Sequence, residues 1–126
     1  MTVEPTLVFD GNCGFCTRTL GWLRLADRRR IIVTVPLQRP GVAESLGLTP
    51  RQCAEAVQWR GADGRHAEGA EAIAAALSVA RDTDWPLRVY RRTAGAQRAL
   101  YGLVARNRHR LPGITPWCAR YPNDCG

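Results

Sequence analysis

The stretch Leu7-Val8-Phe9-Asp10-Gly11-Asn12-Cys13-Gly14-Phe15-Cys16 decides the fold, because it joins a strand to a helix through a tight turn. Residues 7–9 are apolar and predict a buried strand, and residues 10–12 are turn formers. A helix is predicted from about Cys13 or Gly14 to Ala26, with an apolar stripe. The β-branched run 31–35 predicts a second strand that is buried on both faces. Together these elements predict a βαβ unit with parallel strands.

The rest of the chain predicts shorter elements followed by helices. Thr49 and Gln52 form a capping-box pattern around Pro50, which predicts a helix of one or two turns. The pair Asp63-Gly64 predicts a hairpin turn between two strands. The remaining predicted elements are a short helix at 42–46, strands at 56–60 and 65–67, helices at 68–80, 86–92 and 97–111, and an irregular tail at 112–126.

This order of elements predicts an α/β fold with a thioredoxin-like βαβ–α–ββα core at about residues 5–81. Residues from about 82 to 126 are expected to add a helical extension and a cysteine-containing tail, within a single domain of residues 1–126. The period of the last predicted helix assigns its residues to two faces. Leu100, Leu103, Val104 and Leu111 are predicted to point inward, and Arg98, Arg106, Arg108 and Arg110 outward.

Composition limits the class of protein. The 126 residues suffice for one domain, and 45% hydrophobic with 23% charged residues is typical of a folded globular chain. No apolar run approaches the roughly 20 residues that a membrane span needs. Residues 1–5 lack a signal-peptide pattern, which predicts a cytoplasmic protein. These features argue against a transmembrane protein, a secreted precursor and a multidomain enzyme.

The charge is basic and carried entirely by arginine. All 18 cationic side chains are Arg, and the net charge is +7. The absence of lysine excludes Schiff-base chemistry and a phosphate-binding loop that depends on lysine. A basic helix face at Arg106, Arg108 and Arg110 could bind nucleic acid, but residues two apart spread around a helix. We therefore predict neither a nucleic-acid nor a membrane partner.

The Cys13-x-x-Cys16 pair carries the chemistry that the sequence predicts. A cysteine at the start of a helix lies beside free N–H groups and the positive end of the dipole, which favour a negative sulfur. Such placement can lower a thiol pKa from about 8.5 to between about 3.5 and 7.5. Cys13 is therefore the predicted nucleophile. Cys16 lies one helical turn along the same face and is the predicted resolving thiol.

The segment resembles the DCC family of thiol-disulfide oxidoreductases, whose signature is Asp-x-x-Cys-x-x-Cys. The matching residues are Asp10, Cys13 and Cys16, and the likeness continues at Asp63-Gly64, Gly69-Ala70 and Ala105-Arg106-Asn107-Arg108. The resemblance implies a thioredoxin-like fold and dithiol–disulfide exchange without a dissociable cofactor. Its partners would be a disulfide-containing protein or a low-molecular-weight thiol, together with an electron donor that the sequence does not identify.

Two features near the signature bear on substrate binding. Gly14 and Phe15 lie between the cysteines and are the predicted substrate-binding residues. Thioredoxins also place a cis-proline before their third strand, against the active-site sulfurs. Here Pro50 looks like a helix-start residue and Pro36 follows the second strand, so other backbone would have to contact the substrate.

Asp10 has two interpretations. As a turn or cap residue it would hold Asn12 and Cys13 at the start of the helix. As a buried carboxylate it could accept the Cys16 proton, which makes it the third predicted catalytic residue. A carboxylate close to Cys13 would oppose thiolate formation.

The remaining cysteines leave several interpretations open. Cys118 and Cys125 could form a disulfide across the tail, exchange electrons with Cys13 and Cys16, or stay as free thiols. They could instead complete a zinc site with the first pair, which would make the chain a non-enzymatic interaction module. The six residues between them are many for a zinc knuckle, so no metal is predicted. Cys53 is predicted to be a small buried residue in its short helix.

Overall fold

A computed structural model describes residues 4–125. The elements, in chain order, are β1 (Thr6–Phe9), α1 (Gly14–Ala26), β2 (Val33–Pro36), α2 (Val42–Ser45), α3 (Pro50–Glu55), β3 (Gln58–Arg60), β4 (His66–Glu68), α4 (Gly69–Arg81), α5 (Trp85–Arg106), α6 (Trp117–Arg120) and a 3₁₀ helix (Pro122–Cys125). The predicted order of strands and helices through α4 is confirmed.

The four strands form one mixed sheet in the order β2-β1-β3-β4. Strands β1 and β2 are parallel, with Val8 opposite Val35, as the βαβ unit requires. Strand β3 runs antiparallel to β1, with Val8 opposite Gln58, and pairs with β4 in the predicted hairpin. This is the α/β, thioredoxin-like arrangement that the sequence predicts.

Strand β1 supplies side chains to both faces of the sheet, since successive residues of a strand point in opposite directions. Leu7 and Phe9 join a core cluster with α1 and α4 on one face. Val8 joins Ala43 of α2 and Cys53 of α3 on the other. The prediction that Cys53 is a small buried residue is therefore confirmed. The turn that follows Phe9 is held in place by packing on both faces.

The prediction for β2 is wrong in two respects. The strand begins at Val33, not at Ile31, and its first three residues are only half-buried. The Asp27 carboxylate accepts the N–H groups of Ile31 and Ile32 at 3.2 and 2.9 Å, so their backbone does not join the sheet. Strand β2 also lies at the edge of the sheet, which leaves one side open to solvent.

Strand β3 begins two residues later than predicted. The Ala56 N–H completes the end of α3 by donating to the Gln52 carbonyl. The Val57 N–H donates to the Tyr101 hydroxyl of α5 at 3.0 Å. These hydrogen bonds take both N–H groups out of the strand, and the second one ties α5 to the end of the sheet nearest the cysteines.

Helix α4 packs through small side chains. Ala72 and Ala76 are fully buried in the core, whereas Ile73 is 42% exposed. Alanine lets the helix lie close to the sheet because it has no side chain beyond Cβ.

The two helices predicted at 86–92 and 97–111 are present as two helical stretches of α5, joined at a kink. The backbone departs from helical geometry at Thr93, which lies between the two predicted helices. The Thr93 hydroxyl donates to the Val89 carbonyl at 2.7 Å, a contact to the carbonyl four residues earlier that often accompanies a bend in a helix. The helix ends at Arg106, five residues before the predicted end.

The predicted faces of this region are also partly wrong. Leu100 and Leu103 are 62% and 52% exposed, not inward. Tyr101 faces the sheet, because its hydroxyl accepts the Val57 N–H. Arg108 lies beyond the helix end and turns inward, contrary to the prediction that it faces solvent. Helical periodicity could not place a residue that is outside the helix.

The C-terminal tail is ordered and contains elements that were not predicted. Residues 117–120 form α6 and residues 122–125 the 3₁₀ helix. Trp117 packs edge-on against Phe9, with ring centroids 5.8 Å apart, and lies under the guanidinium of Arg24. The tail thereby returns the end of the chain to the turn that follows β1.

Candidate active site

Cys13 occupies the N-cap position of α1, as predicted. Its sulfur accepts the Cys16 N–H at 3.2 Å, and its own N–H donates to the Asp10 carbonyl at 3.3 Å. The Thr17 hydroxyl holds the Cys13 carbonyl at 2.9 Å. The sulfur therefore lies at the positive end of a 13-residue helix, beside an N–H group that stabilises negative charge.

Cys16 lies within hydrogen-bond reach of the Cys13 sulfur and is half-buried. Its pKa is raised to about 12, first by burial, then by its hydrogen bond to Cys13 and by the charge on that sulfur. The positive charge of Arg108 opposes this shift. At neutral pH, Cys16 is therefore a thiol that donates its proton toward Cys13.

Asp10 is a buried carboxylate with three partners. One oxygen accepts the Asn12 N–H at 3.0 Å and the Gln38 side-chain N–H at 2.8 Å. The other oxygen pairs with Arg108 at 3.1 Å. The first contact confirms the predicted turn role of Asp10. The ion pair with Arg108 shows that the charge of Asp10 is balanced by a cation that lies far from it in the sequence.

Arg108 is the site residue that sequence reasoning missed. Its guanidinium bridges the motif, with one nitrogen at Asp10 and another 3.9 Å from the Cys16 sulfur. The periodicity of α5 gives no signal for this, because Arg108 follows the end of the helix. The only sequence signal was its place in the Ala105–Arg108 stretch that resembles the family pattern.

Residues 113–118 cover the Cys13 side of the motif; we call them the covering segment. The Ile114 N–H donates to the Gly14 carbonyl at 3.2 Å, and the Cys118 N–H donates to the Gly11 carbonyl at 2.9 Å. A Cβ on Gly113 would lie 2.5 Å from the Phe15 nitrogen, so only glycine allows this approach. Cys13 is 1% exposed as a result. Gly14, predicted to bind substrate, also lies under the covering segment.

The Cys16 side of the motif opens into a cleft of about 550 Å³ between α1, α4 and α5. Its lining is largely apolar, and Phe15, Trp22, Leu100 and Tyr101 contribute the large side chains. Leu100 of α5 borders this cleft, which accounts for its exposure. Phe15 lines this cleft, and Gly14 does not.

Cys118 and Cys125 form a disulfide. This rules out the four-thiolate zinc site in the state described, because both tail sulfurs are bonded to each other. Among residues 4–125, no three His, Cys, Asp or Glu side chains converge in a way that could hold a metal ion. Of the three interpretations of the tail cysteines, the free-thiol one is also wrong for this state.

No peptide bond within residues 4–125 is cis. Pro50 begins α3, as predicted, and Pro36 ends β2. The segment just before β3, where thioredoxins carry their cis-proline, is occupied by Ala56 and Val57, and the Val57 N–H is already paired with Tyr101.

Comparison with known proteins bears directly on this site. The family model described as DCC1-like thiol-disulfide oxidoreductase matches residues 7–114. The chain belongs to this family. No curated protein and no solved structure matches it.

The family match divides the surroundings of Cys13 into two parts. It includes Asp10, both cysteines of the motif and Arg108, which contacts both Asp10 and Cys16. It ends at residue 114, so the disulfide between Cys118 and Cys125 lies outside it.

None of the helices described between residues 4 and 125 is long and apolar enough to cross a bilayer.

Proposed function

We propose that the chain is a thiol-disulfide oxidoreductase that acts through Cys13 and Cys16 on a disulfide-containing protein or a low-molecular-weight thiol. The observation that carries the proposal is the position of the Cys13 sulfur at the N-terminus of α1, where it accepts the Cys16 N–H at 3.2 Å. That contact stabilises a thiolate, which is the reactive form of cysteine. Membership of the family supports the same reaction class.

In the first step, the Cys13 thiolate attacks a substrate disulfide. A bond forms between Cys13 and one substrate sulfur, and the other substrate sulfur leaves with the electron pair of the broken bond. Cys16 remains protonated at this stage, because burial and the neighbouring thiolate keep its pKa near 12. It therefore does not compete with Cys13 for the substrate.

In the second step, Cys16 resolves the mixed disulfide. Once Cys13 is bonded to substrate, its negative charge is gone, and with it two of the causes that raise the Cys16 pKa. The positive charge of Arg108, 3.9 Å from the sulfur, then favours the Cys16 thiolate. Cys16 attacks the Cys13 sulfur, closes the intramolecular disulfide and releases the substrate as a thiol. Formation of the mixed disulfide thereby activates the resolving thiol.

Asp10 is the proton acceptor that we propose for Cys16. Its charge acts on the Cys16 thiol, and its carboxylate is held in place by Gln38 and Arg108. Asp10→Asn keeps the size and the hydrogen bond to Asn12 but removes the charge. We expect slower resolution of the mixed disulfide and an unchanged rate of its formation.

Substrate access requires a change at the covering segment, because Cys13 is buried beneath it. We propose that this segment moves aside. The cleft beside Cys16 then binds an apolar group of the substrate, which contacts Phe15. We further propose a cytoplasmic location, a compartment in which a disulfide is expected to be transient and reactive, not structural.

The test is to trap the mixed disulfide. Purified Cys16→Ser protein, incubated with oxidised glutathione, should accumulate a glutathione adduct on Cys13, detected by mass spectrometry. The Cys13→Ser protein should form no adduct at either motif position and lose turnover of a model disulfide. Cys53→Ala is the matched control, since Cys53 is the third free thiol, is 1% exposed and packs with Val8 and Ala43. An unreactive Cys13, or full turnover in Cys13→Ser, would contradict the proposal.

A further inference from the structure

The disulfide of the tail lies against the turn that carries Cys13. Gly11 has no side chain, and the Cys118 sulfur fills the space where one would be, 2.5 Å from the position of a Cβ. Cys118 is also bound through its backbone, because its N–H donates to the Gly11 carbonyl at 2.9 Å. Gln38 joins the two, with its side-chain oxygen 2.9 Å from the Gly11 nitrogen and 3.7 Å from the Cys118 sulfur.

Several independent contacts hold the disulfide there. The Trp117 N–H donates to the Thr17 hydroxyl at 3.1 Å, and the Trp117 indole donates to the Asp124 carboxylate at 2.7 Å. Arg39 pairs with the same carboxylate. These contacts fix the residues that precede each cysteine of the tail. The tail is therefore docked by specific contacts, and they fix the position of its disulfide.

The redox states of the two pairs are complementary. Cys13 and Cys16 are free thiols, whereas Cys118 and Cys125 are bonded. Cys13 is 1% exposed, and the Cys118 sulfur of the disulfide packs against Gly11, two residues before Cys13 in the same turn. One turn of the chain therefore carries the proposed nucleophile and contacts the disulfide.

We propose that Cys118–Cys125 is an internal exchange partner of the Cys13–Cys16 pair. This inference rests on the proposed function, since it assigns a resident second substrate to the same nucleophile. The Cys13 thiolate attacks the Cys118 sulfur, an S–S bond forms between them, and the electron pair of the broken bond leaves on Cys125.

Cys16 completes the exchange. Asp10 accepts its proton, as in the reaction with an outside substrate, and its sulfur attacks Cys13 to close the Cys13–Cys16 disulfide. Cys118 leaves as a thiolate, so two electrons have moved from the motif to the tail and no other reactant is consumed. The tail then carries a dithiol, formed by two cysteines that are half-buried in the docked state, and it loses the cross-link between Cys118 and Cys125. The tail pair thus passes reducing equivalents between a buried nucleophile and a partner outside.

Paired cysteine variants test whether the sulfurs meet. The full chain carrying Cys16→Ser and Cys125→Ser leaves Cys13 and Cys118 without their usual partners. In oxidised glutathione we expect a Cys13–Cys118 disulfide as the main product, identified from non-reduced peptides. The chain with Cys16→Ser and Cys118→Ser tests whether Cys13 forms a disulfide with Cys125. Glutathione adducts on Cys13 with no link to either tail cysteine would overturn the internal exchange and leave the proposed function standing.

A rate comparison gives a second measurement that does not depend on those variants folding. Reduced glutathione should open the Cys118–Cys125 disulfide at least about tenfold faster in the natural chain than in Cys13→Ser, because an adjacent thiolate attacks at high effective concentration. Cys53→Ala should match the natural chain. Equal rates in the natural chain and Cys13→Ser, with turnover of an external disulfide lost only in Cys13→Ser, would overturn the exchange alone. Turnover retained in Cys13→Ser would overturn the proposed function as well.

Discussion

Two cysteine pairs lie side by side in this molecule, and their surroundings differ. Cys13 and Cys16 are thiols at the start of a 13-residue helix, where a backbone N–H contacts the first sulfur. Cys118 and Cys125 are bonded to each other, and the 3₁₀ helix that ends at Cys125 has only four residues. The first pair has a strong helix dipole beside it and the second does not. In both pairs the two cysteines lie close together, so the helix is the feature that distinguishes the surroundings of Cys13 from those of the tail cysteines.

The two pairs are also anchored by ion pairs of different burial. The motif is held by Arg108 and Asp10, whose side chains are 20% and 10% exposed. The tail is held by Arg39 and Asp124, which are 41% and 28% exposed. Ion pairs weaken as solvent access increases. We therefore expect the motif to be the rigid partner and the tail to be the one that moves.

Removing each cation separately gives the largest expected effect. Arg108→Gln leaves the buried Asp10 carboxylate without its countercharge, and we expect the free energy of unfolding to fall by about 2–3 kcal/mol. Arg39→Gln removes the equivalent partner of Asp124 at a more exposed position, and we expect a loss below about 1 kcal/mol. Urea denaturation of both proteins measures the difference. Equal losses would refute the contrast between a fixed motif and a looser tail.

A glycine substitution tests the contact between the regions. In Gly113→Ala the new methyl group would meet the backbone of Gly14 and Phe15, which cannot move without disturbing the start of α1. The covering segment should lift, and we expect alkylation of Cys13 by iodoacetamide to become about tenfold faster. Mass spectrometry of the labelled peptide gives the rate.

Gly95→Ala is the matched control for this substitution. It lies in α5, with nothing within 4 Å of the added Cβ. We expect unchanged alkylation of Cys13 and a stability gain of up to about 1 kcal/mol, because alanine favours helix more than glycine does. If Gly113→Ala labels no faster than Gly95→Ala, then the covering segment does not control access to Cys13.

The smallest effect concerns pH and the tail. The hydrogen bond from the Trp117 indole and the charge of Arg39 lower the pKa of Asp124 below its ordinary value of 3.8. A depressed carboxylate pKa stabilises the docked tail above the ordinary value, and that contribution is lost as pH falls through the folded value. We expect the fluorescence of Trp117 to change below pH 3.8, while the motif keeps its fold.

Asp124→Asn should remove this transition, since an amide does not titrate in that range. Trp117→Phe identifies the part of the signal that comes from Trp117, because the chain contains three other tryptophans. A transition that persists in Asp124→Asn would mean that another carboxylate controls the docking of the tail.

The sequence by itself determined the strand–turn–helix unit and the chemistry within it. Residues 7–16 contain an apolar run, turn formers and a helix start in immediate succession, so local preferences and the position of Cys13 agree. The capping box at Thr49 and the hairpin at Asp63-Gly64 were predictable for the same reason. Each depends on residues within a few positions of one another.

Tertiary structure alone decided what surrounds the cysteines. Arg108 is 92 positions from Cys16, and Trp117 is 100 positions from Thr17, so no local pattern could bring them together. Tyr101 of α5 bonds to Val57, which lies 44 positions earlier in the chain. Likewise, the sequence did not decide whether the tail cysteines are bonded, because a disulfide forms only where two sulfurs meet. Here the docking of Trp117 and Asp124 fixes the residues beside the two cysteines.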